Sequence, residues 1–149
     1  MTMTLEEVSD RMEIQDLLVD YSYAIDRRDW DALDDVFAPG AQIDYSAMGG
    51  SRGDLTEIKA FLRTALAGFA SSQHMIATAK IILRGDQADG HTICHNPMLF
   101  GSQAGRDRGF VCGLWYHDKF VRTANGWRIA ERITERCYFS DLGPAQAEG

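Results

Sequence analysis

Apolar positions recur at helical spacing through the first half of the chain and at alternate positions through the second, which predicts helices first and a sheet after. Thr4-Leu-Glu-Glu7 has the form of a capping box, so a helix should start there. Ile14, Leu17, Leu18, Tyr21 and Ile25 make its core stripe, while Val8, Met12, Val19 and Tyr23 form a second apolar face. Asp29 can cap a second helix, Trp30 to Phe37, that presents Trp30, Leu33, Val36 and Phe37 on one side and stops at Pro39-Gly40. Ala41 to Tyr45 alternates as a short strand, with Ala41, Ile43 and Tyr45 together. A flexible loop, 48–53, leads to a second capping signature, Asp54-Leu-Thr-Glu57, and to a third helix in which Ile58, Phe61, Leu62, Ala65, Leu66 and Phe69 repeat.

His74 to Leu83, Gly90 to Phe100, Gly109 to Arg122 and Trp127 to Phe139 read as long strands. Gly85-Asp86, residues 101–108 and the hairpin signal Asn125-Gly126 separate them. Strands of this length must curl, and Pro97 inside one of them predicts a bulge or an edge. The expected fold is therefore α+β: a curved, mixed or antiparallel sheet forming a cone, with three N-terminal helices enclosing a pocket. One domain should span 1–142, followed by a mobile tail at 143–149.

Composition narrows the partners. The chain has 149 residues, 45% of them hydrophobic, and a net charge of −7. That size fits one core, and the acidic balance opposes binding to a phosphate backbone. The N-terminus lacks a basic region followed by an apolar run, and no segment reaches the roughly 18 apolar residues of a membrane span. A cytoplasmic protein is expected, with neither nucleic acid nor membrane as partner. Cys94, Cys112 and Cys137 have no paired short spacing, so they read as small buried hydrophobes.

The candidate chemistry lies in two stretches. Asp26 ends the first helix in line with its second apolar face, where it either caps the helix or serves as a buried carboxylate. His74 opens the first long strand, and alternation places it with Ile76, Thr78 and Lys80, or with Met75 and Ala77 if a bulge intervenes. His91 and His95 look like a metal-ligand pair, but on a strand they sit roughly 13 Å apart at 3.3 Å per residue. No metal is expected. His117, in Trp115-Tyr-His-Asp118, has the same ambiguity of face as His74.

The series Asp26-Arg-Arg-Asp-Trp-Asp-Ala-Leu33, Phe37-Ala-Pro39, Ile43-Asp-Tyr45, Gln73-His74 and Gly126-Trp127-Arg-Ile129 resembles the SnoaL-like branch of the nuclear transport factor two-like superfamily, the branch that contains scytalone dehydratase. The resemblance implies a conical pocket with an Asp–His dyad at its base. By that likeness Asp26 is the dyad carboxylate, His74 its base, and Tyr45 a tyrosine that helps polarise a substrate carbonyl. Ile25 and Met98 replace a second tyrosine and a second histidine, which leaves the substrate open. Tyr21, Tyr23, Met48, Asn96, Met98 and His117 are candidates for the pocket wall. The expected activity is a cofactor-independent lyase, dehydratase-like, or an isomerase, acting on a small apolar cyclic compound. The competing class is a non-catalytic ligand-binding or assembly module of the same fold. Homodimers or trimers are implied by the same likeness.

Overall fold

A computed structural model describes residues 2–143. Helix α1, Leu5–Asp26, begins at the expected capping box: Thr4 Oγ1 accepts from the Glu7 amide, and Glu7 reaches back to the Thr4 amide. Its stripe of Ile14, Leu17, Leu18, Tyr21 and Ile25 is buried. The second apolar face is not, since Val8, Met12, Val19 and Tyr23 are all exposed. Only one stripe of a helix can lie against a single sheet.

The expected second helix is a short 3-10 turn, Asp31–Asp35, so there are two α-helices among the described residues and not three. Three of the five residues of this turn are aspartates, which favour caps and turns over helix interiors. Leu33, Val36 and Phe37 are buried nonetheless. Pro39-Gly40 does not stop a helix; both residues lie inside strand β1, Phe37–Asp44. Helix α2 starts at its own capping box, Asp54 with Glu57, but runs only over Leu55–Ala65 and gives way to turns before Phe69.

The remaining strands are β2 (Arg52–Gly53), β3 (Ser71–Ser72), β4 (Met75–Arg84), β5 (Gln87–Gln103), β6 (Arg106–Thr123) and β7 (Gly126–Leu142). They form one sheet in the order β2-β1-β7-β6-β5-β3, with β4 beside β3 along the same edge of β5. β1 runs parallel to β7, pairing Phe37 with Ile129 and Asp44 with Ile133, while the other ladders are antiparallel. The loop expected at 101–108 is instead a continuation of β5 and β6 around Ala104-Gly105, both at positive φ. Further along the same ladder β5 and β6 approach so closely that a Cβ on Gly109 would stand 1.9 Å from the Met98 carbonyl oxygen. Of the expected tail, only Gly143 lies within the described residues.

Two departures from regular strand geometry position the site. Pro97 lies where β5 passes from its pairing with β4 to its pairing with β3, and its carbonyl accepts from the Gln73 amide. Proline has no N–H to return, so the edge strand is interrupted at Gln73-His74. Further along, Thr78 and Ala79 oppose the single residue Thr92, a bulge with Thr78 at φ 49°. The bulge exchanges faces: Ile76 turns toward the core before it, Ala79 and Ile81 after it.

A β-branched residue in the left-handed region is strained by about 1–2 kcal/mol, partly offset by the greater freedom glycine has when unfolded. Thr78→Gly should therefore stabilise the protein by about 0.5–1 kcal/mol despite placing glycine in a strand. In urea titration the midpoint should rise at unchanged slope; a fall would show that the conformation carries no strain.

Candidate active site

The broken edge strand faces the end of α1. Here Asp26 accepts from the His74 amide at 2.7 Å, from Ser72 Oγ at 2.8 Å and from His74 Nδ1 at 2.6 Å. Arg28, at φ 59°, folds back so that one Nη1 donates to Ile25 O and to Ser72 Oγ. Asp26 therefore does not cap α1; its carboxylate leaves the helix to hold the start of β4. Burial raises the Asp26 carboxyl, but the hydrogen bonds and charge of His74, with the Ser72 hydroxyl, hold it below the usual aspartate range. An ionised Asp26 accepts the Nδ1 proton, which leaves His74 Nε2 as the acceptor when the ring is neutral, with Asn96 Nδ2 at 3.1 Å from it.

Nε2 faces an apolar cavity of about 270 Å³ between α2 and the inner sheet face. Tyr21, Tyr45, Met48, Asn96 and Met98 line it, together with His74. Phe61, Leu66 and Phe69 from the α2 side, and Phe110, Leu114 and Phe139 from the sheet, complete much of the wall. A second hollow of about 600 Å³ lies on the Nδ1 side, bordered by Tyr23 and Asp26. The Nδ1 side of the ring is already taken by Asp26, so a proton can be received only from the inner cavity.

Two residues expected in the wall are elsewhere. Tyr23 is 57% exposed on the uncovered face of α1, with Arg27 over its ring. His117 points to the outer face of the sheet, where it meets His91 Nδ1 at 2.7 Å and Glu135 at 2.6 Å. Its neighbour Tyr116 takes the inward position, so strand alternation sends His117 out. His95 is also outside, against the Tyr138 hydroxyl. Among the described residues no group of three or more His, Cys, Asp or Glu could hold a metal ion.

Beneath the cavity the fold buries an ion pair that the strand pattern left unnoticed. Arg132 Nε and Nη2 donate to the two Asp118 oxygens at 2.7 and 2.8 Å, with both side chains fully buried. The two residues are cross-strand partners in the β6–β7 ladder, a register from which the pair could have been read. The guanidinium lies 4.1 Å from the Tyr21 ring centre and 3.9 Å from that of Tyr116. Tyr21 in turn bonds Tyr45 hydroxyl to hydroxyl at 2.8 Å. Burial pushes the Tyr45 phenol well above its usual range, so it stays a neutral hydrogen-bond donor. Burial likewise pushes the Cys94 thiol up to about 12 and raises Cys112, which leaves both as thiols and poor nucleophiles.

Residues 6–133 match the model of the SnoaL-like domain family. An uncharacterised protein of Mycobacterium tuberculosis is 47% identical over 136 residues, covering 91% of each chain. Among solved structures, a Novosphingobium aromaticivorans protein provisionally named a scytalone dehydratase superposes with a TM-score of 0.80 at 18% identity, over 96% of this chain and 94% of that one. A hexachlorocyclohexane dehydrochlorinase from Novosphingobium barchaimii gives 0.77 at 16% identity, over 97% and 98%. At these identities the structures show a shared fold. No helix among the described residues is long and apolar enough to cross a membrane.

Because the Asp26 carboxyl is depressed in the folded state, the stability it contributes is complete above the unfolded aspartate value and is lost as pH falls through the folded one. Acid titration of wild type should show this loss, and Asp26→Asn should lack that component while being less stable at neutral pH. Equal acid sensitivity in the two proteins would mean that Asp26 is not held ionised by the fold.

Proposed function

The chain belongs to the SnoaL-like family, and on that footing we propose that it is a cofactor-independent lyase or isomerase with His74 as general base, Asp26 as its orienter and Tyr45 as hydrogen-bond donor. The observation that carries this reading is the placement of one imidazole between two environments. Its Nδ1 is tied to an ionised carboxylate at 2.6 Å, and its Nε2 faces an apolar cavity. A proton taken by Nε2 creates an imidazolium whose charge Asp26 stabilises at close range.

The wall supports one class of substrate. Rings from Phe61, Phe69 and Phe110 and the side chain of Leu114 favour a small, largely apolar cyclic compound. The acidic C–H would lie beside a carbonyl or a leaving group. When Nε2 removes that proton, negative charge grows on the carbonyl oxygen, and a neutral Tyr45 can donate to it. The Tyr21–Tyr45 bond uses one hydrogen of the pair, and with Tyr21 as its donor the Tyr45 hydrogen is left for the substrate. The reaction then ends by expulsion of the leaving group or by return of the proton at another carbon. Relatives of this fold named for dehydratase and dehydrochlorinase activities support elimination chemistry in such a cavity.

The test is a screen of cyclic β-hydroxy ketones, steroids and halogenated cyclic compounds, followed by variants on the substrate found. His74→Gln and Asp26→Asn should each lower kcat by about 10²–10⁴-fold while binding of substrate persists. Circular dichroism melting should show both variants folded at the assay temperature. Turnover that survives the loss of His74 would refute the reading.

A further inference from the structure

Asn96 reaches the cavity from β5 and is 7% exposed. Its Nδ2 stands 3.1 Å from His74 Nε2, and its Oδ1 is buried without a hydrogen-bond partner. These two facts are linked. Asp26 takes the Nδ1 proton, so a neutral His74 offers only a lone pair at Nε2, and the carboxamide must present N–H to it. The same choice leaves Oδ1 on the other side of the carboxamide from His74, and Met98, Cys112 and Leu114 are the neighbours of Asn96 on this face of the sheet. None of these supplies a donor to it: the Cys112 thiol is committed to the Asn96 backbone carbonyl at 3.7 Å.

We infer that Asn96 Oδ1 is the subsite for a hydroxyl on the substrate, placed on the carbon next to the one that His74 deprotonates, so that the group eliminated is water rather than halide. The inference rests on the general-base reading of His74. An orphaned buried acceptor favours a ligand that brings a donor, because only then is its lost hydration replaced. A hydroxyl brings one; a carbon-bound chlorine brings none. A donor bound at Oδ1 also draws the carboxamide around its Cβ–Cγ bond, which withdraws Nδ2 and uncovers the Nε2 lone pair. The base is thus exposed when a hydroxyl-bearing ligand is seated.

The step balances without a co-reactant. Nε2 takes the proton from carbon, the C–H electron pair becomes the new C=C bond, and the C–O bond breaks with its electrons on oxygen. The imidazolium returns its proton to that oxygen, which leaves as water, and His74 is neutral again. Nε2 and Oδ1 contact adjacent ends of the ligand because Nδ2 and Oδ1 belong to one carboxamide.

The test uses three non-reactive probes: cyclohexanol, cyclohexyl methyl ether and chlorocyclohexane. Each is titrated into wild type and Asn96→Leu, with binding followed by NMR. The ratio of alcohol to ether affinity should fall about ten-fold in Asn96→Leu, and the ratio of alcohol to chloride likewise. In labelled wild type, cyclohexanol should shift the Asn96 side-chain carbonyl ¹³C signal while the ether and the chloride leave it in place. This second measurement stands even if Asn96→Leu does not fold. Ratios unchanged by Asn96→Leu, or an Asn96 carbonyl that responds equally to all three probes, would overturn the inference. Because binding alone is read, hydroxyl recognition by Asn96 in a protein whose turnover survives His74→Gln would refute the general-base role and leave this subsite standing.

Discussion

The short contact between Asp26 and the His74 side chain is the interaction that the rest of the site depends on. It requires α1 to end where it does, and the edge strand to be open opposite that end. Both conditions have covalent causes. The left-handed Arg28 turns the chain at the helix terminus and locks Ser72 in place, and Pro97 denies the edge strand one ladder bond. The Gln73 amide points to β5, so the next amide, that of His74, points the other way, and one carboxylate claims both it and the ring.

Much of this organisation was legible in the chain. Both capping boxes mark helix starts at Thr4 and Asp54, and the inner stripe of α1 is the buried one. Periodicity failed where two answers share one pattern. Val8, Met12, Val19 and Tyr23 repeat as regularly as a core stripe, but nothing in their spacing says that they remain uncovered. Asp31, Asp34 and Asp35 sit at positions compatible with a helix, yet aspartate is a weak helix former and the segment closes only a 3-10 turn. For His74 and His117 the problem was the face. Register shifts at Ala77/Lys80, Gly113/Leu114 and Lys119/Phe120 reset alternation, and a one-residue slip exchanges inside for outside. The Asp26–His74 contact itself is tertiary; helix spacing carried the carboxylate to the right end of α1, and family likeness, not periodicity, linked it to the histidine.

The Arg132–Asp118 pair has a different standing. Two fully buried charges cost several kcal/mol each in lost hydration, and their attraction with good geometry roughly offsets that cost. Net stability is thus a poor reason for the pair to be there. Its position between the rings of Tyr21 and Tyr116 is more informative. A cation clamped in one orientation by two hydrogen bonds holds both rings at fixed height, and through Tyr21 it determines where the Tyr45 hydroxyl stands. Loss of either charge would leave the other unpaired under the cavity floor.

The parallel pairing of β1 with β7 bears on how the molecule comes into being on the ribosome. β1 carries the chain to Tyr45, and its long ladder partner is made some ninety residues later, Phe37 lying opposite Ile129 and Asp44 opposite Ile133. The nascent N-terminal half can form α1 and α2 by local contacts but has no sheet against which to lay them. Closure must therefore await the emergence of β7, a long-range step that is slow and leaves apolar surface uncovered meanwhile. The tyrosine floor is among the last parts assembled, so a truncated chain should lose it altogether rather than hold it in weakened form.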